Sequence, residues 1–286
     1  MALEHVHVAV RVAAALALVA CGTQEANATS DADSDLIRAT VAADGDFPAT
    51  VRILKVMGAS CTGTKIADDL ILTAGHCVGT RSGAIQGEFA PGRTLELTVR
   101  TPHGPEFRSG VIEETVLHPR FMEACQIDDC SATPIEDRRD APDVGVVRLA
   151  SGHEDVAIAK VDLDEARLGD AVTVVGYGCR EDDWEGTKKD GALRFFVAEI
   201  DVVRESYLTT RGPAAAGGGG GLCDGDGGGA VYRRGTDLVT GVNAARTVPS
   251  GGDLPVTNWH ARVDAQSPWT VATWLGSLGA TMSRPL

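Results

Sequence analysis

Three short segments contain the residue types that catalyse reactions in proteins. The first, residues 72–77, reads LTAGHC and carries His76. The second, residues 143–149, begins with Asp143, and the third, residues 223–231, is rich in glycine. Histidine exchanges protons near neutral pH, and a neighbouring carboxylate can hold it in the tautomer that accepts one. The histidine and the aspartate suggest acid–base chemistry.

Short strand-like segments surround these residues and must position them. Apolar and polar residues alternate, or short apolar runs end in turn residues, at residues 51–56, 95–99, 171–177, 198–202 and 238–242. Regular short strands with turn signals predict an all-β sandwich or barrel. One helix is predicted near the end, at residues 268–278, with Ser267 as its N-cap and Pro268 in its first turn.

Composition limits the function classes. The chain has 286 residues, 43 % of them hydrophobic, which is enough for a substantial core. The formal net charge of −14 argues against binding to DNA or RNA, because that needs a basic surface. The sequence contains no Cys-x-x-Cys pair, so a zinc ribbon or a thioredoxin motif is not supported.

The N-terminus is typical of an export signal. Residues 6–20 are almost wholly apolar but too short to span a membrane, and residues 18–21, LVAC, resemble a bacterial lipobox. We therefore predict a lipoprotein signal peptide at residues 1–20, lipidation of Cys21 and a polar tether to residue 36. The protein would be an envelope lipoprotein, in the periplasm or at the cell surface; ordinary secretion without a lipid is the alternative.

The three segments occur in the order histidine, aspartate, glycine-rich loop, and together they resemble the trypsin/chymotrypsin family, peptidase S1. Supporting strings are Gly-Tyr-Gly at residues 176–178 and a Trp-x-Ala-Arg-Val run at residues 259–263. The resemblance implies two packed antiparallel β-barrels and a C-terminal helix within residues 37–280. It places the boundary between the barrels near residues 158 and 159.

The same resemblance assigns roles to individual residues. It implies that His76 is the general base and Asp143 the carboxylate that orients it. The backbone N–H groups of Gly225 and Gly227 would form the oxyanion hole, and Asp226 would be the structural acid that pairs with a new N-terminus in this family.

The nucleophile is where the sequence departs from the family. The family reads Gly-Asp-Ser-Gly-Gly, whereas residues 225–229 read Gly-Asp-Gly-Gly-Gly, so Gly227 stands where the serine is expected. No serine lies between Ser206 and Ser250, so a shift of one residue cannot supply the hydroxyl. Without a hydroxyl, no acyl-enzyme forms.

Two further segments differ from the family. Residues 36–39, Leu-Ile-Arg-Ala, lack the Ile-Val-Gly-Gly pattern of an activated N-terminus, so the partner of Asp226 is open. The resemblance places Gly221, Ala244 and Arg246 in the specificity pocket. Gly221 stands where Lys/Arg preference would require an acid, and Arg246 could narrow or recharge the pocket.

Seven cysteines leave an even number of six once Cys21 is set aside as the lipidation site. In an oxidising compartment six cysteines predict three disulfides. The resemblance implies the pairing Cys61–Cys77, and we expect Cys179–Cys223 and Cys125–Cys130 as the other two. A metal site formed by the last pair with Asp128 and Asp129 is the alternative there; otherwise we expect no metal and no cofactor.

Three functions compete. The leading hypothesis is an inactive protease homologue, a monomer that binds a protein or peptide in the substrate cleft and meets the membrane only through its lipid anchor. The rival is an active serine endopeptidase, if Gly227 is a sequence error, an engineered knockout or a variant. A structural envelope lipoprotein is the third.

Four histidines belong to none of these motifs and are predicted to lie at the surface: His103, His118, His153 and His260.

Overall fold

Short strands dominate the chain, as the alternating segments predict. A computed structural model describes residues 39–55, 60–127, 135, 141–179, 190–212, 221–247 and 256–286. The described strands are β1 Thr40–Val41, β2 Thr50–Leu54, β3 Ser60–Lys65, β4 Leu70–Thr73, β5 Thr94–Thr101, β6 Gly104–Leu117, β7 Gly145–Leu149, β8 Lys160–Val161, β9 Ala171–Gly176, β10 Arg194–Val203, β11 Tyr207–Arg211, β12 Ala230–Arg233, β13 Leu238–Thr247 and β14 Thr257–Arg262. The helices are α1 Gly75–Val78, α2 Pro119–Ile127 and α3 Val271–Ser277, with a 3₁₀ turn at Gly87–Phe89.

The first barrel is closed and antiparallel, with strand order β2-β3-β4-β7-β6-β5. The start of strand β5 shows why the sequence forms it: Leu95, Leu97 and Val99 are buried, whereas Thr94 before them and Glu96 between the first two are exposed. Because successive side chains of a strand point to opposite faces, this alternation places the three apolar residues in the barrel interior.

The second barrel has the order β10-β11-β14-β13-β12-β9 and closes because β9 also pairs with β10. The short N-terminal strand β1 adds to β10 through the pairs Thr40–Phe195 and Val41–Arg194. A bulge between Ile200 and Val202 breaks the alternation of β10, so Val202 is exposed. Two six-stranded barrels and a short C-terminal helix confirm the predicted fold class.

The C-terminal helix exists but begins later than predicted. Helix α3 starts at Val271, and the preceding Thr270 has a φ of 54° and no side-chain cap. The N–H of Thr270 donates to the carbonyl oxygen of Ser267 at 3.1 Å, so residues 267–270 form a turn. The prediction that Ser267 caps the helix was therefore wrong, because residues 267–270 form a separate turn before the helix begins. None of the helices in the described ranges has the length and apolarity that a membrane crossing would require.

Two of the histidines predicted at the surface are buried. His118 is 3 % exposed and contacts the edge of Trp274, and His260 is completely buried between Thr210 Oγ1 and Asn243 Oδ1, at 3.0 and 2.9 Å. Burial lowers the pKa of His118 to about 4 and that of His260 to about 3. The surface prediction was wrong for this pair, because their partners are distant in sequence. Of the other two, His103 is exposed and His153 is half-buried.

Candidate active site

The imidazole of His76 lies at the start of a single helical turn that follows strand β4. The turn, α1, must approach two other elements closely, and Gly75 allows this. A Cβ on Gly75 would lie 2.7 Å from the ring of Phe121 and 3.0 Å from Asp143 Oδ1. The glycine of the LTAGHC string therefore provides the close contact that brings His76 to Asp143.

Asp143 holds His76 through two hydrogen bonds. Its Oδ1 accepts the backbone N–H of His76 at 2.8 Å, and its Oδ2 lies 2.7 Å from His76 Nδ1. The carboxylate is 1 % exposed, whereas the side chain of His76 is 43 % exposed. A carboxylate acceptor keeps the proton on Nδ1 of a neutral imidazole, so Nε2 is the basic nitrogen and faces the cleft.

Gly227 lies directly against this basic nitrogen. A Cβ built on Gly227 would be 2.6 Å from His76 Nε2 and 2.9 Å from His76 Cε1, well inside van der Waals contact. The imidazole therefore occupies the volume that any side chain at position 227 would need. With glycine there, the described residues place no hydroxyl between the imidazole and the loop backbone.

The loop around Gly227 presents two N–H groups to the cleft. Thr62 Oγ1 donates to the carbonyl oxygen of Gly225, and Thr62 N donates to that of Gly227, both at 2.8 Å. Thr62 Oγ1 also accepts the N–H of Tyr177 at 2.9 Å, which ties the first barrel to the second. Within the described ranges, the N–H groups of Gly225 and Gly227 have no hydrogen-bond partner. These two groups can therefore bind an anionic or carbonyl oxygen.

The partner of Asp226, which the sequence left open, is the loop backbone. Asp226 Oδ1 accepts the N–H of Gly178 at 2.8 Å, and its Oδ2 accepts the N–H of Cys223 at 2.9 Å. Its side chain is completely buried, and burial raises its pKa to about 7, although both hydrogen bonds and the charges of Arg194 and Arg246 oppose the rise. Residues 36–38 lie outside the described residues.

The raised pKa of Asp226 predicts a specific pH dependence of stability. Because the folded state holds this proton more tightly than the unfolded chain, whose carboxyl titrates near 3.8, the contribution of Asp226 is full below about pH 4. It is lost as the pH rises to about 7, with a slope of up to about 1.4 kcal/mol per pH unit. Urea unfolding from pH 4 to 8 should show this decline relative to Asp226→Asn. Parallel pH profiles of the two proteins would contradict it.

Two of the three residues assigned to the specificity pocket line the cleft between the barrels. Ala244 and Arg246 line a cavity of about 420 Å³ that also contains His76 and Gly227. Arg246 Nη1 donates to the carbonyl oxygen of Leu222 at 2.7 Å, so its guanidinium is tied to the glycine-rich loop of its own barrel.

The third residue, Gly221, is packed against Val256 and Asn258. A Cβ on Gly221 would lie 2.7 Å from Val256 Cγ1 and 3.1 Å from Asn258 Oδ1. This position has no room for an acidic side chain, and the charge that faces the cleft from the neighbouring strand is the cation of Arg246.

The structure contains two disulfides among the described cysteines. Cys61–Cys77 links β3 to α1 below His76, with Cα atoms 6.2 Å apart, and Cys179–Cys223 links the loop after β9 to the glycine-rich loop, with Cα atoms 5.9 Å apart. Cys125 is also disulfide-bonded, and its expected partner Cys130 lies outside the described residues, as do Asp128 and Asp129. Cys61, Cys77 and His76 cluster at metal-binding distances, but the disulfide leaves no thiolate there to bind a metal.

Sequence reasoning missed two residues that line the cleft, Lys55 and Ser60. Lys55 Nζ donates to the carbonyl oxygen of Cys77 at 3.0 Å, and Ser60 Oγ is buried without a hydrogen-bond partner. Neither residue belongs to a recognisable motif, although Ser60 immediately precedes Cys61. Only the closure of the barrel brings them beside His76.

The fold and the site define a class of protein: two antiparallel six-stranded barrels whose junction carries a histidine–aspartate pair next to a glycine-rich loop. The sequence matches the Trypsin family over residues 36–270, and the chain belongs to this family. A search of curated proteins finds no match.

Solved structures with the same fold include two from mammals. Mouse neuropsin, "a serine protease expressed in the limbic system of mouse brain", has a TM-score of 0.58 and 13 % identity, and the match covers 84 % of this chain and 98 % of that one. Human heparin binding protein has a TM-score of 0.58 and 18 % identity, with 87 % and 100 % covered. At these identities the likeness shows the fold alone.

Proposed function

We propose that this protein is a catalytically inactive member of the Trypsin family that binds a protein or peptide in the cleft between its barrels. The observation that carries the proposal is the contact between Gly227 and His76: the imidazole stands 2.6 Å from where a side chain at 227 would begin. Attack on a carbonyl by this route needs a nucleophile between the base and the oxyanion hole, and the glycine offers only a backbone there.

The rest of the cleft supports binding. The two unpartnered N–H groups of Gly225 and Gly227 can hold a peptide carbonyl, as they would in a protease. A cleft of about 420 Å³ is of the size that binds small ligands or a few peptide residues. Strand β13, with Ala244 at its cleft-facing part, offers a wall along which a peptide can lie.

A fluorophosphonate probe tests the inactivity directly, because it reacts with activated serine hydroxyls. The protein with Gly227 should show no labelling and no burst of product from an ester substrate, since no hydroxyl is placed to attack. Heat-denatured protein provides the background, and an active Trypsin-family protease the positive control. Labelling of any cleft residue, located by peptide mapping, would contradict the proposal.

The rival function, an active serine endopeptidase, is supported by the machinery that remains. His76 and Asp143 are hydrogen-bonded, and the N–H groups of the loop are available. If the natural codon at position 227 encodes serine, the protein is a protease. Resequencing this codon from the source DNA distinguishes the two functions.

We further propose that the protein is exported and anchored by a lipid on Cys21. The LVAC string at residues 18–21 supports the anchor, and the disulfides Cys61–Cys77 and Cys179–Cys223 suit an oxidising compartment. In a bacterial host we expect the protein in the membrane fraction and Cys21→Ser in the soluble fraction, because a lipid anchors without spanning. The matched control is Ser30→Ala in the tether. If Cys21→Ser is found in the membrane fraction to the same extent as the unaltered protein, the proposed lipid anchor is wrong.

A further inference from the structure

The cleft carries cations on both of its walls. On the first barrel, Lys55 is half-buried, its Nζ 3.0 Å from the carbonyl oxygen of Cys77 and 4.0 Å from Glu88 Oε1. On the second barrel, Arg246 is half-buried with its guanidinium held by Leu222. Burial lowers the pKa of both cations, because each is partly removed from water.

Hydrogen-bond donors line the same cavity as these cations. The N–H groups of Gly225 and Gly227 have no partner in the described chain, and Ser60 Oγ is equally unpartnered although Ser60 is only 5 % exposed. Ser60 Oγ lies beneath the glycine loop, 3.3 Å from the position of a Cβ on Gly225. A buried hydroxyl without a partner is costly, so a ligand that accepts its hydrogen bond is favoured.

The charge of the cleft is opposite to that of the chain. The formal net charge is −14, yet the charged residues of the cavity lining are the cations Lys55 and Arg246 and one acid, the exposed Asp224. Charges farther apart than about 8 Å are largely screened at physiological ionic strength. At contact distance, the local cations therefore decide which ligand binds.

We propose that the ligand of the cleft is an acidic peptide, whose carboxylate side chains pair with Arg246 on one barrel and Lys55 on the other. Its main-chain carbonyl oxygens accept hydrogen bonds from the Gly225 and Gly227 N–H groups and from Ser60 Oγ. Guanidinium and ammonium groups bind carboxylates by charge-assisted hydrogen bonds, which are the strong ones. This inference rests on the proposed binding function and names the class of its ligand.

A pair of matched peptides tests the proposal on the full mature protein. The probes are the fluorescent, end-capped hexapeptides Ala-Glu-Ala-Ala-Glu-Ala and Ala-Gln-Ala-Ala-Gln-Ala, and the readout is fluorescence anisotropy. The glutamate peptide should bind at least about tenfold more tightly, or about 1.4 kcal/mol. Arg246→Gln and Lys55→Gln should each lower this preference, because each removes one of the two ion pairs. Raising the salt concentration should weaken the binding of the glutamate peptide and leave that of the glutamine peptide unchanged.

Matched controls separate the cleft from surface charge in general. Arg211 pairs with Asp201 and Lys160 with Asp237 on the exposed surface, outside the cleft, so Arg211→Gln and Lys160→Gln should leave the preference unchanged. Circular dichroism melts show whether each variant folds. The salt dependence of peptide binding is measured on the unaltered protein, so it tests the proposal even if a variant does not fold.

The outcomes distinguish the inference from the function on which it rests. Equal binding of the two peptides, or a preference that survives both cleft substitutions, overturns the acidic ligand and leaves peptide binding in place. If neither probe binds, and a mixed-sequence hexapeptide library is not retained either, the binding function fails together with the inference.

Discussion

Gly227→Ser should turn the protein into one that a fluorophosphonate labels and that hydrolyses an activated ester. Loss of the serine nucleophile costs a factor of about 10⁶ in an enzyme with this triad chemistry. The imidazole must first retreat by about 1 Å, because its Nε2 now lies 2.6 Å from the Cβ position. A misplacement of that size costs about 10²-fold, so we expect a gain of about 10⁴-fold in ester hydrolysis over the unaltered protein.

Two matched variants make this gain interpretable. Gly227→Ala adds the Cβ without the hydroxyl and should remain silent, although it displaces His76 equally. Gly227→Ser with His76→Ala retains the hydroxyl and loses the base, and should fall back close to background. If Gly227→Ser folds but stays unlabelled, the remaining machinery is not competent, and the hydrogen bond of His76 to Asp143 does not produce a working base.

Gly178→Ala should strongly destabilise the fold near the site. Its Cβ would lie 2.3 Å from Asp226 Oδ2 and 2.5 Å from Asp226 Oδ1, and the buried carboxylate has nowhere to move. Either the carboxylate loses its backbone hydrogen bonds or the loop shifts. We expect the free energy of unfolding to fall by about 4 kcal/mol, the sum of overpacking and a lost buried hydrogen bond. Chemical denaturation with disulfides intact measures it.

The control for this substitution is Gly87→Ala. A Cβ on Gly87 has no neighbour within 4 Å, and its φ is not positive, so the free energy of unfolding should change by less than about 0.5 kcal/mol. In the Gly227→Ser background, Gly178→Ala should also lower labelling, since Asp226 positions the loop that carries both N–H groups. A loss below about 1 kcal/mol for Gly178→Ala would show that the carboxylate is not held rigidly.

Local pattern was enough to predict the fold class. The alternation of Leu95, Leu97 and Val99 predicts a half-buried strand, because a strand's period of two acts over a few consecutive residues. The family motifs carry the barrel topology with them, and the two closed barrels confirm it. The start of helix α3 was missed because a serine at position 267 suits a turn as well as it suits a helix N-cap, so the local sequence does not distinguish the two.

The buried polar residues could not be predicted from their neighbours in sequence. His260 is stabilised in the core by Asn243 and Thr210, which lie on the adjacent strands β13 and β11. A histidine side chain is buried at low cost only when such partners form hydrogen bonds with its ring nitrogens, and strand pairing decides which residues those partners are.

The sequence by itself determined the family, the two-barrel fold that the family implies and the absence of a hydroxyl at position 227, because each follows from short runs of consecutive residues. What only the tertiary structure decided is the content of the cleft. The backbone partners of Asp226, the imidazole against Gly227, and the placement of Lys55 and Arg246 on facing walls come from segments far apart in the chain. Distances between such segments depend on how both barrels close and pack, and a local pattern does not encode them.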